Sequence, residues 1–294
     1  MKIAITGVHG FIGQKLTEFL GKKGHEIKGI SRLLLCGNLE GLASELAGSD
    51  AVIHLAGTPV MQRWTKKNRR LIYNSRIITT WNLTKALNLL ATDLKPKVFI
   101  AVSAVGIYAA GEAHDEQSLH LDGNFLGKVV IDWENASIDL DKSIRRIIFR
   151  TGIVLDKDAV MIRSLLPIFK IGLGGRMGNG NQPFPFIHIQ DLLEVFSESI
   201  VDANYSGIYN LVAPEQVSNK SFTFLLSRKL QKPASLCVPR FILEAAYGKA
   251  STMLLESPAV VPARLLETGY HFQYPTLSGA LDEILDPMKQ PSNH

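Results

Sequence analysis

The sequence has few cysteines and no long apolar run. It contains only two cysteines, Cys36 and Cys237, and neither belongs to a Cys-x-x-Cys pair or a Cys/His cluster. Because structural zinc sites and disulfide frameworks need such groupings, we expect neither a metal site nor a disulfide, and two scattered thiols are typical of a reducing compartment. No run of about 18 apolar residues occurs, so we expect no membrane span. No signal peptide precedes the run at residues 3–7, so we expect a cytoplasmic protein.

The sequence also lacks a strong excess of either charge. It has 32 Lys and Arg residues against 27 Asp and Glu residues, which gives a formal net charge of +5 at pH 7. A basic bias is compatible with nucleic-acid binding, but no stripe of aromatic and basic residues and no DNA-binding motif accompanies it. We therefore expect no nucleic-acid partner, and we interpret the bias as that of a soluble protein with a site for an anionic cofactor.

Apolar strand patterns alternate with amphipathic helix patterns over the first half of the chain. Strands are expected at residues 2–6, 25–30, 51–55 and 98–102, with a further one ending at 147–149, and helices at 11–22, within 65–94 and at 125–140. This alternation predicts an α/β fold, a doubly wound parallel sheet of Rossmann type. In such a sheet the carboxyl ends of the strands share one edge, where ligands bind.

The pattern changes after about residue 155. Residues 171–185 are rich in glycine and contain two prolines, which predicts a loop with neither helix nor strand. Residues 187–201 predict a short strand and a helix, and 205–286 predict short alternating elements. We therefore expect a Rossmann domain at 1–155, with elements continuing to about 205. A smaller α/β region on the substrate side follows at 156–286, and a frayed tail at 287–294.

The clearest motif is TGVHGFIG at residues 6–13, which follows the first strand and opens the first helix. Gly7 permits the tight turn, Gly10 lets backbone N–H groups approach a pyrophosphate, and Gly13 lets the helix pack closely on the strand. The start of the helix adds unpaired N–H donors and a partial positive charge. The motif in this position predicts a dinucleotide site.

The end of the second strand carries no acidic residue. NAD-selective sites place an Asp or Glu there, against the 2′-hydroxyl of the adenosine ribose. Here Ser31 and Arg32 stand instead, and a guanidinium pairs well with a 2′-phosphate. The sequence therefore predicts NADP(H) as the cofactor rather than NAD(H).

Further segments share their order and spacing with one protein family. They are HLAG at 54–57, RW at 63–64, NSR at 74–76, SAVGIY at 103–108, RTGIVL at 150–155, IGLGG at 171–175 and IHIQDL at 187–192. With the glycine turn, they resemble the extended and atypical short-chain dehydrogenases/reductases over nearly the whole chain. The nearest resemblance is to the group labelled nucleoside-diphosphate-sugar epimerase or cell-division inhibitor. Nothing in the residues supports the second label.

The resemblance implies a role for individual residues. It implies that the pyrophosphate is held by Gly7, Gly10, Phe11, Ile12 and Gly13, and that the 2′-phosphate is contacted by Ser31 and Arg32. It implies that the cofactor is lined by Leu55, Ala56 and Gly57, and that Arg76 contacts its phosphates or ribose. It also implies that Ser103 and Val154 border the nicotinamide. His9 departs from the small residue usual in this turn, and its side chain is expected to point to solvent.

The catalytic pair of the family is incomplete. Short-chain reductases use Tyr-x-x-x-Lys, in which the lysine lowers the pKa of a tyrosine that exchanges a proton with substrate. Here Lys128 fits, but Asn124 stands four residues before it, and an amide has no titratable proton. Tyr108 is a candidate replacement beside Ser103, or else packs over the cofactor. Lys128 either holds the nicotinamide ribose or is a solvated helix residue.

Two functions remain open at this point. One is an NADP(H)-dependent oxidoreductase or nucleotide-sugar epimerase with a non-standard active site, acting on a small molecule such as a carbonyl compound or a nucleotide sugar. Its catalytic candidates are Ser103, Tyr108 and Lys128. The alternative is a catalytically inactive NADPH-binding sensor or scaffold.

Overall fold

The computed structural model describes residues 1–286, and the tail expected at 287–294 lies outside the described residues. The chain forms two compact units, each built from several chain segments. The first comprises Met1–Tyr108, His120–Arg150 and Leu193–Tyr209. The second comprises Ala109–Leu119, Thr151–Leu192 and the chain from Asn210 onward.

The strands of the described residues are short and are numbered here in chain order. They are β1 (Lys2–Thr6), β2 (Glu26–Ile30), β3 (Ala51–His54), β4 (Val98–Ala104), β5 (Ala113–His114), β6 (Arg145–Thr151), β7 (Ile153–Leu155), β8 (Gly175–Met177), β9 (Phe186–His188), β10 (Gly207–Leu211), β11 (Leu236–Val238) and β12 (Ala259–Val260).

The helices are numbered in the same way. They are α1 (Phe11–Lys22), α2 (Arg32–Leu35), α3 (Leu39–Leu46), α4 (Lys66–Leu89), α5 (Phe125–Asn135), α6 (Val160–Lys170), α7 (Ile189–Val201), α8 (Asn219–Lys229), α9 (Arg240–Tyr247), α10 (Thr252–Leu255), α11 (Ala263–Glu267) and α12 (Leu277–Leu285). Within residues 1–286, no helix has the length and apolar character needed to cross a membrane.

The first unit is built on a six-stranded sheet in the order β10-β6-β4-β3-β1-β2. Strands β2, β1, β3 and β4 pair in parallel, and Thr6 lies opposite both Ile30 and His54. The carboxyl ends of β1, β2 and β3 therefore share one edge of the sheet. This confirms the predicted α/β fold with a Rossmann-type parallel sheet.

The central strands are buried on both faces, which is why their sequences are apolar without alternation. Ile3, Ala4 and Ile5 of β1 have no exposed surface. One core cluster packs Leu42 of α3 and Leu83 of α4 among strand residues of the sheet. In contrast, β2 is an edge strand, and three of its five residues are exposed.

The first unit differs from the sequence prediction in two additional helices and in the end of one predicted helix. The chain forms α2 and α3 between β2 and β3, where no helix is predicted, and Ser31 caps α2 by accepting from the Leu34 N–H at 3.4 Å. Helix α5 ends at Asn135 rather than at residue 140. At that end Arg146 donates to the Glu134 carbonyl at 2.7 Å and so satisfies a group of the last turn.

The second unit contains three pairs of short parallel strands, β5 with β12, β7 with β9, and β8 with β11. The prediction that residues 171–185 hold no strand is therefore wrong for β8. A Cβ on Gly175 would lie 2.3 Å from the Leu236 carbonyl oxygen. Glycine there is thus what lets the two strands approach, whereas the composition of residues 171–185 alone predicts a loop.

Candidate functional site

Two of the three glycines in the turn after β1, Gly7 and Gly13, occupy positions that a larger residue cannot. Gly7 has a φ of +74°, and a Cβ on it would lie 3.0 Å from the Leu55 carbonyl oxygen and the Ala56 nitrogen. The Gly10 N–H donates to the Gly7 carbonyl at 2.9 Å. A Cβ on Gly13 would lie only 2.1 Å from the same carbonyl oxygen. The turn is therefore tight for steric reasons.

A cavity of about 380 Å³ opens at the sheet edge where β1, β2 and β3 end. It is lined by residues 7–10, 29–32 and 55–58, together with Leu35, Ser75 and Thr79. The structure thus brings together seven of the predicted cofactor residues: Gly7, Gly10, Ser31, Arg32, Leu55, Ala56 and Gly57. Phe11, Ile12 and Gly13 lie in the first turn of α1, next to this lining.

A buried chain of hydrogen bonds, which no sequence pattern predicts, holds the loop after β3 in place. Thr6 Oγ1 accepts from the Leu55 and Ala56 N–H groups at 3.1 and 3.2 Å. The same hydroxyl lies 2.7 Å from His54 Nδ1, and His54 Nε2 lies 3.0 Å from Thr80 Oγ1. Burial, assisted by the charge of Arg76, lowers the pKa of His54 to about 4.

These partners assign the tautomer of His54. The Thr80 hydroxyl donates its hydrogen to the Arg76 carbonyl at 2.7 Å, so its oxygen accepts from His54 Nε2–H. Thr6 accepts two backbone N–H groups, so it donates its hydrogen to Nδ1. A neutral imidazole with its hydrogen on Nε2 therefore satisfies every hydrogen bond between Thr6, His54 and Thr80. The signal in the sequence is a histidine at the end of the apolar strand AVIH, since a fully buried imidazole needs hydrogen-bond partners.

Arg76 is a half-buried cation beneath Gly57. Its Nη1 donates to the Thr58 carbonyl at 2.9 Å, and its guanidinium lies 5.1 Å from the ring centroid of Trp133. A Cβ on Gly57 would lie 3.2 Å from the guanidinium carbon. Burial lowers the pKa of Arg76 to about 10. No carboxylate in the described part of the chain pairs with it, which leaves its charge for another partner.

Ser103 and Tyr108 are joined through a buried ion pair. Ser103 Oγ donates to Glu134 Oε1 at 2.7 Å. Arg150 donates to both oxygens of Glu134, from Nε at 2.8 Å and from Nη2 at 2.7 Å, and its Nη1 donates to the Tyr108 hydroxyl at 2.8 Å. Burial lowers the pKa of Arg150, but hydrogen bonding and charge from Glu134 outweigh burial and raise it above the usual value. All four side chains are buried.

Lys128 is not part of this network. It is exposed on α5, and Asn124, four residues earlier, is the N-cap of that helix. Asn124 Oδ1 accepts from the Leu126 N–H at 2.7 Å and the Gly127 N–H at 3.0 Å. Asn124, which breaks the Tyr-x-x-x-Lys pattern, therefore has a structural role, because it accepts hydrogen bonds from two of the unpaired N–H donors at the helix start.

The remaining predicted residue, Val154, belongs to the second unit. It lies in β7 opposite Ile187 of β9. In the described residues, no three His, Cys, Asp or Glu side chains are grouped so as to hold a metal ion.

Comparisons with known proteins agree with this geometry. Residues 3–211 match the NAD dependent epimerase/dehydratase family, and residues 238–284 match a domain of unknown function. The chain is 34% identical to epimerase family protein SDR39U1 of Homo sapiens, over 97% of this chain and 100% of that protein. It is 31% identical to epimerase family protein YfhF of Bacillus subtilis, over 98% and 99% of the two chains.

A solved structure has the same fold. The crystal structure of human epimerase family protein SDR39U1 (isoform 2) with NADPH superposes with a TM-score of 0.90 at 33% identity, over 97% of this chain and 99% of that one. These matches confirm the resemblance that the sequence motifs indicated. The chain belongs to the NAD-dependent epimerase/dehydratase family.

Proposed function

We propose that this protein binds NADP(H) in the cavity at the ends of β1, β2 and β3, and that it prefers NADP(H) to NAD(H). The observation that carries the proposal is the position of Arg32. It lines the cavity just after β2, where no carboxylate lines the cavity. A guanidinium attracts a 2′-phosphate, and the absence of an acid there removes the group that would favour a ribose hydroxyl.

The residues present fit a dinucleotide. Gly7 and Gly10 line the cavity at the start of α1, where neither places a side chain in the way of a pyrophosphate. Ser31 receives the Leu34 N–H on its oxygen, so its hydroxyl hydrogen remains to donate to a phosphate. Arg76 is a half-buried cation that pairs with no carboxylate of residues 1–286, and an anionic ligand stabilises such a group. The NADPH in the crystal structure of the human relative supports the same assignment.

The cofactor proposal is tested by measuring the dissociation constants of NADPH and NADH for Arg32→Asp. We expect NADPH affinity to fall by about tenfold to a hundredfold, because a charge-assisted hydrogen bond is lost, while NADH affinity is kept. Arg163→Asp is the matched control, because Arg163 is exposed on α6 in the second unit. This substitution changes the net charge of the protein by the same amount as Arg32→Asp. Unchanged NADPH affinity in Arg32→Asp contradicts the proposal.

For the reaction, we propose an NADP(H)-dependent oxidoreductase or nucleotide-sugar epimerase whose proton does not come from a Tyr-x-x-x-Lys pair. Bound NADP(H) supplies or accepts a hydride at its nicotinamide. In this proposal Lys128 holds the nicotinamide ribose. Ser103 and Tyr108, whose hydroxyls contact Glu134 and Arg150, are the groups that exchange the proton with substrate in this proposal.

A second function, an NADPH-binding sensor or scaffold without catalysis, is favoured by the burial of that network. Tyr108 is 1% exposed and Ser103 is 3% exposed, so neither hydroxyl faces open solvent. Absorbance at the nicotinamide band, followed with panels of carbonyl compounds and nucleotide sugars, separates the two functions. Oxidation or reduction of the cofactor with any of them supports the enzyme, whereas tight NADPH binding with no turnover supports the sensor.

A further inference from the structure

The second unit carries an exposed apolar surface around the end of α6 and the start of α9. Ile171 and Leu173, which follow α6, are 70% and 56% exposed, and Phe241 in the first turn of α9 is 68% exposed. Leu243 is the only buried residue of α9. The large apolar side chains of this surface are Ile168, Ile171, Leu173, Leu236, Phe241 and Ile242. Single exposed apolar residues are ordinary, whereas a group of this size marks a site for a partner, a membrane or a ligand.

Backbone contacts bring the segments that carry these side chains together. The Leu173 N–H donates to the Ile168 carbonyl at 3.0 Å, so the chain folds back on the last turn of α6. A Cβ on Gly172 would lie 3.4 Å from Pro233, and Leu236 belongs to β11, which pairs with β8. Helix α9 begins two residues after β11 ends. The six side chains therefore lie on neighbouring segments, which we call the α6–α9 surface.

The same segments hold a concentration of positive charge. Residues 160–176 contain three cations and no carboxylate, and residues 231–249 contain three cations and one carboxylate. Six cations against one carboxylate give the two segments a net charge of +5, which equals the net charge of the whole chain. The rest of the sequence is therefore balanced, and its basic bias belongs to this part of the second unit.

Most of these cations have no counter-ion in the structure. The one carboxylate, Glu244, is paired with Arg240 at 2.7 Å. Arg163, Lys170 and Lys232 are exposed, and they pair with no carboxylate of residues 1–286. The α6–α9 surface is therefore both apolar and positively charged, and its charge is complementary to an anionic partner.

We propose that the α6–α9 surface binds the face of a membrane that contains anionic lipids. A peripheral helix is held at a membrane by apolar side chains that enter the boundary between headgroups and acyl chains, with cations around them. The cations attract anionic headgroups, and the apolar side chains leave water. Binding of this kind lies on the membrane and needs no helix that crosses it. It goes beyond the proposed cofactor function and does not depend on it.

The kind of apolar side chain favours a lipid surface over a nucleic acid. Proteins that bind single strands place aromatic rings among their cations, because bases stack on such rings. Five of the six large apolar side chains of the α6–α9 surface are aliphatic, and only Phe241 is aromatic. Aliphatic side chains have no stacking face, but they gain from leaving water at an acyl-chain boundary.

The test is sedimentation of the full chain with two kinds of vesicle, phosphatidylcholine alone and phosphatidylcholine with one third phosphatidylserine. We expect binding to the mixed vesicles to be at least about tenfold stronger than to the neutral ones, because several cations meet anionic headgroups. We also expect that binding to weaken as salt is added, since exposed charges are screened.

Two variants separate the charged and the apolar contributions. The double variant Lys170→Gln/Lys232→Gln should weaken binding to the mixed vesicles by about tenfold or more, because two cations leave the anionic surface. Phe241→Ser should weaken it by about tenfold, because its ring no longer leaves water.

Each variant has a matched control outside the α6–α9 surface. Lys66→Gln/Lys67→Gln removes the same charge from the exposed start of α4 in the first unit. Phe224→Ser removes a ring that is 58% exposed on α8. Both controls should bind the mixed vesicles as the unmodified protein does. Thermal melting of each variant establishes that it is folded.

Four results overturn the proposal. They are no binding to either kind of vesicle, equal binding to both kinds, and control variants that lose as much binding as the variants of the α6–α9 surface. The fourth is a loss with the lysine variant but none with Phe241→Ser, because the surface would then be a site for a polyanion rather than for a membrane.

Discussion

Arg150 and Glu134 form a buried ion pair with two parallel hydrogen bonds, and their side chains are only 7% and 8% exposed. This geometry satisfies both oxygens of the carboxylate, and the remaining contacts to Ser103 and Tyr108 extend it to the end of β4. A buried pair of this kind is costly to break from one side, because the partner charge remains without compensation.

The first prediction concerns that pair. Glu134→Gln should lower the free energy of unfolding by about 3 kcal/mol or more, since Arg150 stays buried and charged. Unfolding in urea measures this. Glu18→Gln, which removes the same charge from the exposed Glu18–Lys22 pair on α1, should leave the midpoint nearly unchanged. Equal effects of the two substitutions would show that the buried network contributes no more to stability than the exposed pair does.

The second prediction concerns the close approach of α1 to the glycine turn. Gly13→Ala should weaken NADPH binding at least tenfold and destabilise the protein, because the new Cβ would lie 2.1 Å from the Gly7 carbonyl oxygen. Gly21→Ala in the same helix meets no atom within 4 Å. It should leave binding unchanged and raise stability by up to about 1 kcal/mol, the usual gain of alanine over glycine in a helix. Dissociation constants and melting curves of both variants are the measurements.

The third prediction concerns the stability of the fold at acid pH. His54 has a pKa of about 4 in the folded state and about 6.5 when unfolded. Between these values the unfolded chain binds more protons, so stability falls as the pH drops from about 6.5 to 4 and this contribution levels off below 4. The difference corresponds to a loss of about 3 kcal/mol for this fully buried group.

Urea unfolding at pH 7.5, 6, 5 and 4.5 measures that loss. His54→Gln, which has no titrating imidazole, should start less stable at pH 7.5 and lose less over the same range. Subtracting its curve removes the other titrating groups, among them His188, whose pKa is also lowered by burial. Parallel curves for the two proteins would mean that the buried imidazole is not the acid-sensitive group.

The fourth prediction concerns the residue that interrupts the family's catalytic pattern. Asn124→Tyr should destabilise the protein by about 1 kcal/mol, because the side-chain cap of α5 is lost. Asn124→Ser, which keeps a capping oxygen, should be close to the unmodified protein. Melting temperatures of the two variants test the capping role. A tyrosine variant as stable as the serine variant would show that the cap is dispensable.

The sequence predicts most of the fold because its signals are local. Alternating apolar strands and amphipathic helices indicate the parallel sheet, and TGVHGFIG indicates the turn that borders the cavity. Ser31 and Arg32 could be placed there too, since they directly follow a strand next to β1. The division of the chain near residue 155 and the roles assigned to single residues stay predictions.

The missed features depend on partners that are distant in sequence. Thr6, His54 and Thr80 meet although 48 and 26 residues separate them, and no spacing rule links them. Glu134 and Arg150 are likewise joined only by the tertiary fold, although a glutamate beside Trp133 on the apolar face of α5 is a hint of burial. The glycine of β8 falls in a predicted loop because composition does not reveal which backbone segment will lie against it.

The segmented layout of the first unit has a consequence for how the protein is made. Its six-stranded sheet takes its last strand, β10, from Gly207–Leu211, long after the glycine turn at the start of the chain. During synthesis, the turn and the first five strands of that sheet are translated before the edge strand that completes it. Until Gly207–Leu211 has been made, the sheet lacks its sixth strand, and one side of β6 remains open to pairing with other chains.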